Sequence, residues 1–473
     1  MKTGSRWRVA LGFAVALPCL GGCSDDPRTV EETFSVGGTI TGLAAGGLVL
    51  ATTGQPDLPI VAGQTTFTFA YEVPAGTVYH VIVKAQPDRH TCTVEAGDGA
   101  VSADVTDVAV RCVAATWIAA GQLSKARGFF GAVRLPSGAV LAVGGQPSFT
   151  GDWATAVVDV RAPATGAWSL AKPLSVARNW TLPCVLALQD GRVFAGGGAN
   201  PQAEYGMTTA ELYDASLDAW SSTAGPMAGT HEGGVCVLLA NGKVLVAGGV
   251  RSTGSTADAE LFDPATGLFS PTGAMRVARY WGTATLLASG KVLVAGGCLG
   301  GWPCTVSTAS AELYDPGTGT WSEVAPLPFS VMTHTSTLLA SGKVLVAAGC
   351  QRYSGTGKCG NAAEDRRAAL YDPAAGALGA WTATGSLGWG HADHVALLLA
   401  DGDVLVVGGG LWSGSASGTE RYDVSAGTWT PGPPTGVNHG NGLRSVKLAD
   451  GRWMVIGGAD PYNGTAEILD EGG

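Results

Sequence analysis

The side chains in this sequence best suited to chemistry are planar donors and flat rings. Counting back from each of a series of glycine turns gives Arg127, Arg178, His231, Arg279, His334, His391, His394 and His439, with Phe129, Trp180, Tyr280, Trp281 and Trp389 beside them. Short stretches behind glycine doublets add Trp153, Tyr205, Trp302, Tyr353 and Trp412. Aromatic faces next to planar donors suit sugar rings or extended peptides. Arg127, Arg178 and Arg279 each follow an alanine, and His334 and His394 both stand eight residues before a turn glycine. Repeated identity of this kind reads as a shared structural bond. His231, His391, His439, Trp302 and Trp412 belong to single units and weigh more toward function. One carboxylate also recurs per unit (Asp159, Glu211, Glu260, Glu312, Glu420 and Glu467), which suits satisfying backbone groups.

Catalytic and metal patterns are weak by comparison. No Cys-x-x-Cys, His-x-His or His-x-x-x-His occurs, and the nearest cluster is His391-Ala392-Asp393-His394. In an extended strand that three-residue step sends the two imidazoles to opposite faces, which disfavours shared ligation. There is no Gly-x-Ser-x-Gly elbow and no phosphate loop, because the glycine-rich stretches end strands without opening helices. No catalytic residue, metal or cofactor is expected.

The elements that must position these residues are read from Asn241-Gly242-Lys243-Val244-Leu245-Val246-Ala247-Gly248-Gly249, a tight turn running into an unbroken apolar strand that ends in two glycines. Copies fall at Gly144-Gly145, Gly197-Gly198, Gly248-Gly249, Gly296-Gly297, Ala348-Gly349, Gly408-Gly409 and Gly457-Gly458, at intervals of 53, 51, 48, 52, 60 and 49 residues. Each unit holds four short strands. One such sheet cannot bury two apolar faces alone, whereas units set radially bury them against each other as a β-propeller. The doublet, a later Tyr and a Trp seven residues after it (Tyr213 and Trp220, Tyr314 and Trp321, Tyr422 and Trp429) resemble the kelch family over roughly residues 116 to 473. Arg161, the Phe262 and Phe269 pair, and Ala348 depart from that pattern. The resemblance implies a seven-bladed propeller in which the segment leading into each inner strand and the loop behind each doublet open on one face, around a central channel. Arg127, Trp180, His231, Arg279, Trp281, Trp302, Trp389, His391, Trp412 and His439 would then form a ligand-binding mouth. Radical copper oxidases share the propeller and use Tyr and His ligands with a Tyr-Cys crosslink; the adjacent Tyr79-His80 pair lies outside the repeats, so copper chemistry is disfavoured. Seven doublets face only six downstream aromatic strands, so Thr116-Trp117 should supply the seventh and close the ring.

Ahead of the repeats, Lys2, Arg6 and Arg8 precede an apolar run from Val9 to Leu20, a secretory leader too short for a permanent span. Leu20-Gly21-Gly22-Cys23 resembles a bacterial lipobox, which implies a signal peptide over 1–22, lipidation at Cys23 and a tether over 23–32. Ser24 in place of Asp points to the outer membrane. Residues 33–113 alternate between short strands and turns, as in a small immunoglobulin-like β-sandwich, and 114–473 form the propeller. Loss of the leader makes the net charge of -10 three units more negative, which argues against nucleic acid. Ten cysteines fit an exported chain. Local spacing proposes Cys92 with Cys112, Cys298 with Cys304 and Cys350 with Cys359, and leaves Cys184 and Cys236 either paired or free. The expected function is binding of a glycan or an envelope protein, with a mutarotase-like sugar enzyme or an envelope scaffold as alternatives. If Cys23 carries the lipid, Cys23→Ser will move the protein from the membrane pellet to the soluble fraction and abolish incorporation of labelled fatty acid.

Overall fold

Strands of four residues with apolar groups on both faces need cover on both sides, and this fold supplies it from neighbouring copies. The computed structural model describes residues 32–471 apart from 88, 149–150, 180–183, 201–205, 353–358, 360–365, 412–413, 416–417 and 459–461, with only the backbone at 411, 414 and 415. Trp180, Tyr205, Tyr353, Trp412, Cys23 and the leader lie outside the described residues. The chain is all-β, with no α-helix among the described residues.

Among these residues, seven four-stranded antiparallel sheets, here called blades, repeat one plan. In the third, Val235–Leu238 is innermost, then Val244–Ala247, Ala259–Asp263 and, outermost, Leu268–Pro271. Val244–Ala247 is buried throughout. Seven apolar clusters each draw on two adjacent blades; one joins Leu245 and Ala247 to Val292, Val294 and Tyr314. Burial at roughly 25 cal/mol per Å2 of apolar surface therefore acts between blades rather than within them. The ring closes on the chain's own ends: Thr116–Gln122 pairs antiparallel with Thr465–Asp470 as the outermost strand of the last blade. Trp117 there donates its indole N–H to the Pro433 carbonyl at 2.9 Å, as Trp321 does to Gly273 at 2.6 Å and Trp168 to Ala120 at 2.9 Å. Each bond ties a blade to its predecessor.

The glycine doublets are required by close approach. Gly248 and Gly249 have φ of 68° and 120°. A Cβ on Gly248 would lie 2.5 Å from the Arg279 carbonyl oxygen of the next blade, and one on Gly249 would lie 2.7 Å from the His231 Cα. Ala348, in the place of a first glycine, accepts a φ of 53°, at a cost of about 1–2 kcal/mol.

In six of the blades a buried basic side chain and a carboxylate join the start of the inner strand to the third strand. Arg279 Nη2 lies 2.7 Å from Glu312 Oε1, while Arg279 Nη1 donates to the Gly296 carbonyl at 2.8 Å. Glu312 also accepts the backbone N–H groups of Arg276 and Val277. Arg127 with Asp159 and Arg178 with Glu211 repeat the pair at 2.7 and 2.8 Å. His231, His391 and His439 occupy this same place and do not stand apart as unit-specific groups. Their Nε2 atoms lie 3.1, 3.1 and 3.0 Å from Glu260, Glu420 and Glu467, and their Nδ1 atoms face the carbonyls of Gly248, Gly408 and Gly457. Each imidazole thus spans the carbonyl and carboxylate positions that a guanidinium spans in the second and fourth blades. The fifth blade replaces both partners at once: Val331, whose carbonyl accepts the Gly297 N–H, and Ala369 lie in its apolar core.

Residues 33–114 form a separate core. The sheet Thr66–Thr68, Val36–Thr41, Val105–Ala114, His90–Glu95 and the sheet Leu58–Pro59, Val49–Ala51, Ile82–Ala85 bury Ile40, Leu50, Phe67, Val108 and Val110 together. Only Ala115 separates Val105–Ala114 from the closing strand of the propeller. Cys92–Cys112, Cys298–Cys304 and Cys350–Cys359 are disulfides, and Cys184–Cys236 is a fourth that staples the inner strands of the second and third blades. Four disulfides fit folding in an oxidising compartment.

Two predictions rest on the buried pairs. Glu312→Ala will destabilise by about 3–5 kcal/mol because it leaves Arg279 buried and unpaired, whereas Arg279→Val with Glu312→Ala, copying the fifth blade, will recover most of that loss in denaturant melts. Burial opposes ionisation of Glu260 and Glu467, but the histidine bonds and the N–H groups of Ala228, Gly229, Gly436 and Val437 outweigh it and hold both carboxyls below the ordinary range. Their contribution is present above the unfolded value of about 4.3 and is lost as pH falls through the depressed values. Tm should hold down to about pH 5 and then fall, with a shallower acid slope in Glu260→Gln.

Candidate functional site

In five blades the segment before the inner strand meets the start of the loop behind the doublet. Isolated bridges join Gly128 to Gln146, Asn179 to Ala199, Glu232 to Val250, Tyr280 to Cys298 and Met332 to Cys350, so both open on one face of the ring. Next to these bridges a girdle of left-handed residues runs around the axis through six of the seven blades. Phe129, Gly233, Trp281, Thr333, Asp393 and Gly442 have φ between 51° and 70°. Backbone N–H groups donate from Phe129 to Gly442, Gly442 to Asp393, Asp393 to Thr333, Thr333 to Trp281 and Trp281 to Gly233, at 2.8, 3.1, 3.1, 3.0 and 2.8 Å. These inter-blade bonds hold even β-branched Thr333 in a conformation it would otherwise avoid. Trp180 stands at this position in the second blade's sequence and lies outside the described residues.

Beneath the girdle lies an axial cavity of about 300 Å3, lined by Trp281, Thr333, Asp393 and Arg444, by His334 and His394, by Thr283, Thr335, Ser336 and Ser445, and by apolar Val235, Ala284, Val395 and Ala396. His334 Nε2 meets Thr283 Oγ1 and His394 Nε2 meets Thr335 Oγ1, each at 2.9 Å, so both histidines bridge adjacent blades. Their Nδ1 atoms have no protein partner, and neither do Thr333 Oγ1 and Arg444 Nη2. Arg444 is fixed by Nε donating to the Phe130 carbonyl at 2.5 Å. Burial pushes the Asp393 carboxyl up to about 7, with Arg444 pulling the other way. Burial likewise lowers the Arg444 guanidinium to about 9 against the pull of Asp393, drops His334 to about 3 and holds His394 well below its ordinary value. Both histidines are therefore neutral at physiological pH.

Above this cavity an aromatic stack faces solvent. Trp302 is 62% exposed and meets Trp281 edge-on at 5.2 Å, and Trp281 rests on Tyr280 at 4.9 Å. The Cys298–Cys304 disulfide closes the loop that carries Trp302. Glu232, bridged to the start of the neighbouring loop, has its carboxyl raised to about 7 by burial. Trp389 and Trp153 are also exposed, at 43% and 39%.

The sequence-derived mouth thus divides in two. Trp302 and Trp389 face solvent and Trp281 lines the cavity, but Arg127, Arg279, His231, His391 and His439 are buried in the blade pairs and offer nothing to a ligand. A signal for this was present in the spacing, since Arg279, His231 and His391 each lie 17 residues before the first doublet residue whose carbonyl they bind. The His391 and His394 rings do not point to opposite faces; they lie 5.7 Å apart, because left-handed Asp393 breaks the extended run between them. They still cannot share a metal, as both His391 nitrogens are engaged. Asp393, Thr333 and Arg444 were not singled out from the sequence. Arg444 had a legible clue, a cation where the other described inner strands carry Gly131, Val235, Thr283, Thr335 or Val395.

A kelch motif matches residues 282–328, and no curated protein sequence matches the chain. Among solved structures, a fungal alcohol oxidase of the AA5 family in complex with copper superposes with a TM-score of 0.58 at 18% identity, over 75% of this chain and 75% of that one. YjhT superposes with a TM-score of 0.49 at 15% identity, over 66% of this chain and 98% of that one. The likeness to the oxidase is one of fold. Among the described residues no three of His, Cys, Asp and Glu gather as metal ligands, and every described cysteine is in a disulfide, so none of these is free for a crosslink to tyrosine. The chain thus carries a kelch motif over residues 282–328 and shares its propeller fold with that oxidase.

Proposed function

We propose that this protein is an exported, lipid-anchored binding protein of the cell envelope whose propeller mouth takes a glycan. The observation that carries the reading is the exposed Trp302, held on a disulfide-closed loop and stacked through Trp281 onto Tyr280 directly above a cavity whose lining includes Thr283, Thr335, Ser336 and Ser445. A sugar ring presents an apolar C–H face to such a ring and hydroxyls to the polar wall. An acidic chain is a poor host for polyanions, which points to neutral glycans. The leader and lipobox at Cys23, together with the disulfides, support export and anchoring, and Ser24 supports the outer membrane. Kelch repeats also build protein-interaction scaffolds, and an envelope protein partner is the outcome to be sought if glycans fail.

A second reading is favoured by one observation. The carboxyls of Asp393 and Glu232 titrate near 7, where a carboxylic acid exchanges protons at physiological pH, as a mutarotase-like sugar enzyme requires.

On an array of envelope and plant polysaccharides, the purified protein should bind a neutral glycan. Trp302→Ala should weaken that binding about tenfold or more, equivalent to about 1.4 kcal/mol, without moving Tm. Binding unaffected by this substitution would remove the mouth from consideration.

A further inference from the structure

We infer that the axial cavity is a pocket for one terminal sugar unit, whose neighbouring hydroxyls sit between Arg444 and Asp393. This rests on the glycan reading and specifies how the glycan is held: by its end, not along its length. At about 300 Å3 the cavity is at the lower limit for small-molecule sites, so it admits one small unit and excludes a continuing chain.

The polar groups select the chemistry. Arg444 Nη2 can only donate and Asp393, when ionised, can only accept, and these two groups do not close a direct ion pair among the described residues. A ligand anion would face Asp393, and a ligand cation would face Arg444. Neutral hydroxyls both donate and accept, so a vicinal pair satisfies both groups at once. Thr333 Oγ1, also without a protein partner, adds a group of either sense. His334 and His394, 5% and 6% exposed, line the cavity, and each keeps an Nδ1 without a protein partner. Leaving four such polar atoms unmet in a folded interior is costly, which marks the place as built for a polar occupant. Trp281 connects the two levels, since it lines the cavity and also supports Trp302 at the mouth. A chain end entering the cavity would leave its next unit against Trp302.

The test uses calorimetric titration of the whole protein with free neutral monosaccharides, linear oligosaccharides and cyclic oligosaccharides that have no ends. Asp393→Asn keeps the side-chain shape and tolerates the left-handed backbone, and Arg444→Gln serves as the second variant, each checked by thermal melt. The expected result is that linear sugars and their terminal monosaccharide bind while cyclic ones do not. Asp393→Asn should weaken both at least tenfold with Tm retained. Trp302→Ala should weaken the linear sugars but leave monosaccharide affinity within about twofold, since only the outer unit would touch it. Equal binding of cyclic and linear sugars, or wild-type affinity in Asp393→Asn, overturns the terminal pocket while leaving the mouth reading in place. Binding of polysaccharides through Trp302 with no monosaccharide binding does the same, and assigns the cavity to solvent. Failure of every saccharide on the wild-type protein overturns both.

Discussion

The mouth of this propeller depends on a buried charge pair repeated in six blades. In each, one carboxylate from the third strand gathers backbone N–H groups of the lead-in segment and the cation beside it, and the cation, except in the first blade, reaches the carbonyl of the first doublet glycine. Three pieces of chain that would otherwise expose unpaired polar groups in the interior are satisfied by one pair. Arginine and histidine both serve because each presents two diverging nitrogens, one to the carboxylate and one to a doublet carbonyl or its neighbour. The fifth blade meets the same problem by deleting both charges, which is consistent with the near neutrality of replacing a whole buried pair by apolar groups.

That scaffold fixes the start of each inner strand, and the girdle follows from it. With the lead-in segments held, the next residues are close enough to bond N–H to C=O around the axis, and the bonds hold six of them in left-handed geometry. Four of the six carry side chains, Phe129, Trp281, Thr333 and Asp393, so the girdle sets what stands at the top of the channel. Glycine would be conformationally easier at these places. The presence of Thr333 and Asp393 there, beside neutral histidines with unshared nitrogens, adds polar groups to a lining that is otherwise largely apolar.

Rigid support distinguishes the aromatic mouth from a chance exposed ring. Trp302 stands on a closed loop over Trp281 and Tyr280, and the cluster beneath includes Cys298, Cys304, Met332 and Cys350. A platform ordered before binding loses little side-chain freedom when a ligand arrives. The N-terminal unit joins the propeller through its closing strand with one residue between, so force or attachment at that end is transmitted to the strand that completes the ring.

Much of the fold was legible because it is written in periodic, local terms. Doublets at near-constant intervals, turns ahead of apolar runs and a missing last aromatic strand fix blades, strand order and closure, since one-face burial and edge pairing leave few alternatives. The recurring acids were also legible as backbone partners, because six blades supply one each. The sequence could not separate Arg279 or His231, which look inward to Glu312 and Glu260, from Trp302, which looks out, since all lie near a turn and side-chain direction depends on the neighbouring blade. Nor could it place His391 beside His394, because an extended run was assumed where a left-handed residue intervenes. Asp393 and Arg444 come from blades that meet only when the ring is formed, and their shifted proton affinities arise from burial in that ring. Sequence alone therefore determined the repeating architecture and its closure, through patterns each blade carries within itself. Tertiary structure alone decided the site, because its groups converge across blade boundaries where burial, and not spacing, sets their chemistry.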